Sequence, residues 1–173
     1  MPRHLAKCTG ELPDPAGVLG TFAVTVPLGT IAIAGDAFRD CAGLAQVTLP
    51  VTVTGIEKGE DYEGAFSGCS SLRAITLPPN LTEIGDCAFS GCTSLSEITL
   101  PPSLAEIGYS AFQQCTSLSE ITLPPNLTEI GKGAFYGCTS LTEIMLPAGP
   151  VDIHSLAFAG CPGTPQRPLP PSS

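Results

Sequence analysis

From Cys69 to Cys161 the apolar positions of the chain return at one fixed interval. Cys69, Cys92, Cys115, Cys138 and Cys161 stand 23 residues apart, and Phe66, Phe89, Phe112, Phe135 and Phe158, each preceded by alanine, keep the same step. Such a period marks stacked copies of one small unit. The unit is clearest from Cys92 to Gln114, with Leu95, Ile98, Leu100, Leu104, Ile107, Ala111 and Phe112 as its apolar skeleton. Glu97-Ile98-Thr99-Leu100 alternates polar and apolar, which predicts a strand with one face buried. Pro101 and Pro102 stop it, because proline cannot donate to a continuing ladder. Leu104 and Ile107 predict a second short extended segment ending at Gly108. Tyr109 to Gln114 reads as one helical or 3₁₀ turn, with Ala111 allowing close approach and Phe112 filling the space between coils. No unit can bury its apolar side alone, so the copies must stack into a continuous core.

Upstream, Ala37, Phe38 and Cys41 belong to a copy whose cysteine lies 28 residues before Cys69, which implies a five-residue insertion. The segment Glu57 to Glu63 supplies it as an acidic bulge. Within that first copy Val24-Thr25-Val26-Pro27 takes the place of Ile98-Thr99-Leu100-Pro101. This placement accounts for the uncharged stretch between Asp14 and Asp36, which is long enough to cross a bilayer but is broken by glycine, proline and threonine. It is strand material, and no membrane insertion is expected. The N-terminus has Arg3 and Lys7 but no apolar core of a signal peptide. As written, the chain reads as cytoplasmic, or as cell-surface if it is a piece of a longer exported protein.

The recurring pattern Cys-x2-Leu-x2-Ile-x-Leu-Pro, followed by Ile-x3-Ala-Phe-x2-Cys, resembles the 23-residue leucine-rich repeat of BspA-like proteins, and three near-perfect copies begin at Cys69, Cys92 and Cys115. The resemblance implies an α/β leucine-rich-repeat solenoid. Short parallel strands would line one face, with a short strand or turn and a 3₁₀ or helical turn on the other. It also implies a role in protein recognition, often on microbial and protist surfaces. On this reading residues 1–20 are an N-terminal cap or flexible segment, 21–161 are about six repeats, and 162–173 are a Pro-rich tail. Degenerate units at Thr21-Phe22-Ala23 and at Val151 to His154 suit end coils that face solvent.

Charge narrows the partner. The formal net charge is -9, from 16 acids against 7 bases, which repels nucleic acid and anionic membranes. Charged residues are only 13% of the chain, about half the usual share. There is no Cys-x2-Cys pair, and neither zinc nor another cofactor is indicated. The column cysteines read as small buried fillers, pointing the same way and so poorly placed for disulfides. Cys87 and Cys8 lie outside that column and are expected as exposed thiols. Catalysis has little to work with: His4 and His154 are the only histidines, and no hydrolase, zincin or phosphate-loop motif is present.

The outward face of the longer strands is more informative. One column runs Gln46, Ala74, Glu97, Glu120, Glu143; its neighbour runs Thr48, Thr76, Thr99, Thr122, Met145; Arg73, Ser96, Ser119 and Thr142 lie beside them. A threonine array also suggests an ice-binding surface, but that would want a second threonine column where glutamates stand. Arg73, Thr76, Glu97, Thr99, Glu120, Thr122, Glu143 and Met145 are therefore the expected contacts for a protein partner with a basic or polar surface, held by a monomer. The alternative is a structural or adhesin-type repeat with no specific soluble ligand. A second acid column, Glu83, Glu106, Glu129 and Asp152, sits on the short segments, where like charges at ladder spacing repel. Asn80-Leu81-Thr82 and Asn126-Leu127-Thr128 fit a glycosylation acceptor, and Arg167 to Pro171 resembles half of an SH3 ligand.

Overall fold

The computed structural model describes residues 20–167. Cys8, His4 and the segment Pro168–Pro171 of the SH3-like motif lie outside them. Six coils stack in one direction, each contributing a longer strand, a proline-initiated turn, a two-residue strand and a turn carrying phenylalanine. The longer strands are β1 (Phe22–Thr25), β3 (Leu44–Thr48), β5 (Ala74–Thr76), β7 (Glu97–Thr99), β9 (Glu120–Thr122) and β11 (Glu143–Met145). A seventh, β13 (Pro165–Gln166), pairs with β11, so the start of the Pro-rich tail closes the last coil. The short strands are β2 (Ala32–Ile33), β4 (Gly55–Ile56), β6 (Glu83–Ile84), β8 (Glu106–Ile107), β10 (Glu129–Ile130) and β12 (Asp152–Ile153). Every pairing between these strands is parallel.

The two sheets differ in continuity. All six short strands form one sheet in the order β2-β4-β6-β8-β10-β12. The longer strands form two: β1-β3-β5-β7 and β9-β11-β13, with no ladder joining β7 to β9. The stretch between Asp14 and Asp36 contributes β1 and β2, in agreement with its place in the repeat. Among the described residues no helix is long and apolar enough to cross a membrane.

The core follows from the period. Phe38, Phe66, Phe89, Phe112, Phe135 and Phe158 stack face to face through the coils, with neighbouring centroids 5.1–5.2 Å apart and planes within 4–7°. Around that column lie the buried Leu95, Leu104, Ile107 and their equivalents. Close approach on the short-strand side demands glycine: a Cβ on Gly131 would stand 2.6 Å from the Gly108 carbonyl carbon.

Of the two forms expected for the phenylalanine segment, a helical or a 3₁₀ turn, the i→i+3 form is the one present. It resolves into linked i→i+3 turns, such as Gln113 N–H to the Ser110 carbonyl and Cys115 N–H to the Phe112 carbonyl. Left-handed residues interrupt any helix at both ends, Ser110 (φ 50°) before Phe112 and Gln114 (φ 59°) after it. Among the described residues a 3₁₀ turn forms at Glu60–Tyr62, inside the insertion. There Asp61 (φ 53°) and Tyr62 (φ 63°) are consecutively left-handed, Lys58 and Gly64 form an antiparallel bridge, and Arg39 pairs with Glu63.

The column cysteines do more than fill. Cys69, Cys92, Cys115, Cys138 and Cys161 each donate a thiol hydrogen bond, 3.0–3.2 Å long, to the phenylalanine carbonyl of the coil before. Cys87 corrects an expectation: it is buried, not exposed. Its backbone is left-handed (φ 54°), and burial first and Asp86 second push its pKa up.

Candidate functional site

The eight residues expected to contact a partner all lie exposed on the longer-strand side: Arg73, Thr76, Glu97, Thr99, Glu120, Thr122, Glu143 and Met145. Alternation places them there, since the residues between them (Ile75, Ile121, Ile144) are buried. Parallel register aligns them into columns. Gln46, Ala74 and Glu97 pair in sequence, as do Thr48, Thr76 and Thr99. Beyond the break, Glu120 faces Glu143 and Thr122 faces Met145. The break divides the expected columns in two, because Glu97 and Thr99 share no ladder with Glu120 and Thr122.

Two hollows open on this face. The larger, about 640 Å³, is lined by Thr21, Gln46, Thr48, Arg73 and Thr76, with Ala45 and Ala74 lowering its floor. The smaller, about 340 Å³, lies over the break between Thr99 and Thr122, with Glu120 on its wall and Pro102 and Pro125 along its edge. Ile98 beneath it is half-buried, unlike its counterparts Ile75, Ile121 and Ile144. The face thus runs from an acid-free end with one guanidinium to an end with three carboxylates. Its chemistry is that of hydrogen-bond exchange: hydroxyls donate and accept, carboxylates accept, and Arg73 donates. Both hollows are open and without an acid–base pair in contact.

The short-strand side carries the second acid column in strict register, Glu83, Glu106, Glu129 and Asp152. Partial burial, then Glu83, Glu129 and Asp86, raise the Glu106 carboxyl above its ordinary range, while Lys58 pulls it back. His154 Nε2 lies 3.2 Å from Glu129 Oε1 at the end of the column. Among the described residues no three histidine, cysteine or acidic side chains gather closely enough to hold a metal ion.

Two features were not read from the sequence. One is the broken ladder between β7 and β9, where the repeat itself is most regular. The other is a cluster of Tyr62, Tyr109 and Tyr136 on the phenylalanine-turn side, with side chains open to solvent. These tyrosines occupy different positions of the repeat, so no column announces them.

Comparison with known proteins agrees with this geometry. The sequence profile of the BspA type leucine rich repeat region matches residues 22–60 and 32–164, with six copies. No curated protein sequence matches the chain. A leucine rich repeat protein of T. pallidum is 36% identical, with a TM-score of 0.74 over 86% of this chain and 72% of that one. A leucine-rich repeat protein from Bacteroides ovatus is 32% identical, with a TM-score of 0.66 over 79% of this chain and 43% of that one. A leucine rich cell surface protein from Faecalibacterium prausnitzii is 27% identical, with a TM-score of 0.68 over 84% of this chain and 41% of that one. The chain therefore spans less than half the length of the last two.

Proposed function

The chain belongs to the BspA-type leucine-rich repeat family, and on that premise we propose that it is a non-enzymatic module holding another protein on its longer-strand face. One observation carries the reading: that face presents exposed side chains in parallel register, with two open hollows set into it. A rigid array offers many contacts at little cost in ordering, which is how stacked-repeat proteins recognise partners. The polarity of the array favours a partner with Lys or Arg opposite Glu97, Glu120 and Glu143, and acceptors opposite Arg73. Thr76, Thr99 and Thr122 would add hydroxyl contacts, and Met145 an adaptable apolar one.

The test is affinity capture from native lysate and cell-surface fractions with three proteins. The unmodified chain is expected to retain a partner, Glu97→Lys plus Glu120→Lys to lose it, and Glu106→Lys on the other side to keep it. Retention untouched by the paired substitution rejects this face. A second reading, a surface repeat that sets spacing and binds nothing specific, draws on the Faecalibacterium neighbour named as a cell surface protein. Under it, all three proteins come back empty.

A further inference from the structure

All three tyrosines of the chain sit together on the phenylalanine-turn side, away from the face proposed above. Tyr62 reaches them from the insertion, on two consecutive left-handed residues, and its ring lies 5.4 Å from that of Tyr109 at 56°. Strained backbone of this kind persists where the surroundings over-determine it, and here it aims an aromatic ring along the surface. Tyr109 and Tyr136 then wall a slot of about 200 Å³ with Gln113 and Lys132, floored by Ser110 and Gly133 and closed by Leu156. Leu156 is 56% exposed, with φ at 62°.

The slot is smaller than a pocket for a drug-sized molecule, about 300–1,000 Å³, and suits one or two side chains of a peptide. Its polar groups are chiefly donors: two phenols, an amide and an ammonium, with no carboxylate among the lining residues. A polyproline II segment is the complement of such a surface. Its carbonyls have no internal hydrogen bond, its prolines have no N–H to satisfy, and its rings pack against aromatic faces. The chain itself carries such a sequence, Pro168-Leu169-Pro170-Pro171, directly after Arg167. Arg167 is held at another corner of the coil by a 3.0 Å bond from its guanidinium to the Gly149 carbonyl, so a separate copy is the natural donor.

We propose that the slot between Tyr109 and Tyr136 binds the Pro168–Pro171 segment of a second copy of this chain. The contact joins copies tail to side and adds weak self-association to a chain otherwise expected as a monomer. Tyrosine is favoured at such anchors because its large ring costs little side-chain entropy and its hydroxyl stays paired.

The chain has no tryptophan, so its intrinsic fluorescence comes from these three tyrosines alone. The host for titration is the chain bearing P168A, P170A and P171A, whose own tail no longer competes, and the probe is a synthetic peptide of residues 167–173. A saturable change in tyrosine emission is expected, weakened about tenfold or more by Y136A and unaffected by E97K. Far-ultraviolet circular dichroism checks that Y136A keeps its fold, and Lys132→Glu provides a second lesion without loss of a ring. No saturable change, an equal change with an alanine-substituted peptide, or a response only to an oligosaccharide or unrelated proline peptide overturns the proposal. In sedimentation, the unmodified chain should associate with rising concentration and the triple-alanine chain should not. Identical behaviour of the two also overturns it.

Discussion

Each column thiol points at a phenylalanine carbonyl one coil away, 3.0–3.2 Å distant, and gives a second hydrogen bond to an acceptor that the turn already pairs with the backbone N–H three residues on. Burial raises Cys92 well above the usual thiol range and takes Cys115 from 9.0 to about 12. An unfolded chain gives up these protons near pH 9 while the folded one holds them, so stability falls as pH climbs from about 9 toward 12. Below that window these groups contribute no pH dependence. Denaturant midpoints measured across the alkaline range should show this decline, and Cys115→Ser, with its better donor, should lessen it. Phe112→Ala removes a ring with both faces stacked and should cost about 3–5 kcal/mol in urea unfolding. Phe158, half-buried on the last coil, should cost less when truncated. The burial of both columns could be read from spacing alone. The thiol donation could not, because it joins residues 26 or 31 apart whose contact exists only once coils are stacked.

At the level of the element, the paired prolines and the alternation of Glu97 to Leu100 made the longer strands readable, and Ile-Gly marked the short ones. Sequence leaves the phenylalanine turn open between helical and 3₁₀ forms, because Ser110 and Gln114 carry no sign of a left-handed backbone where other coils use glycine. Glycine at the short-strand corner has a stricter reason. Gly131→Ala would drive a Cβ into backbone atoms of Gly108 and Tyr109 at 2.6–2.7 Å, and a loss of about 1–3 kcal/mol is expected in the same unfolding assay. The acid column beside it is a built-in repulsion. Glu106 is raised by burial and by Glu83, Glu129 and Asp86, so its charged form opposes folding. That penalty fades as pH drops through its folded pKa toward the unfolded value. Glu106→Gln should therefore raise the melting temperature near pH 7 and leave it unchanged at about pH 4.

For the whole molecule, stability is a sum over coils and their contacts, so a coil can be removed without destroying the rest. Deleting residues 92–114, one full period, should leave the circular dichroism spectrum in shape while lowering the unfolding midpoint. Loss of the folded signal would contradict a stack of nearest-neighbour contacts. The exposed columns of the proposed partner face were visible in the sequence because strand alternation has a period of two. Their division was not, since β7 and β9 come from two of the most regular copies. Backbone amides in these strands should exchange with deuterium faster than those of β8 and β10, which share the unbroken sheet. A book bound along one margin and free at the other flexes by fanning its pages. Joined continuously through six short strands and lacking a ladder between β7 and β9, the stack is expected to yield first along that line, and faster exchange confined to those two strands would reveal it.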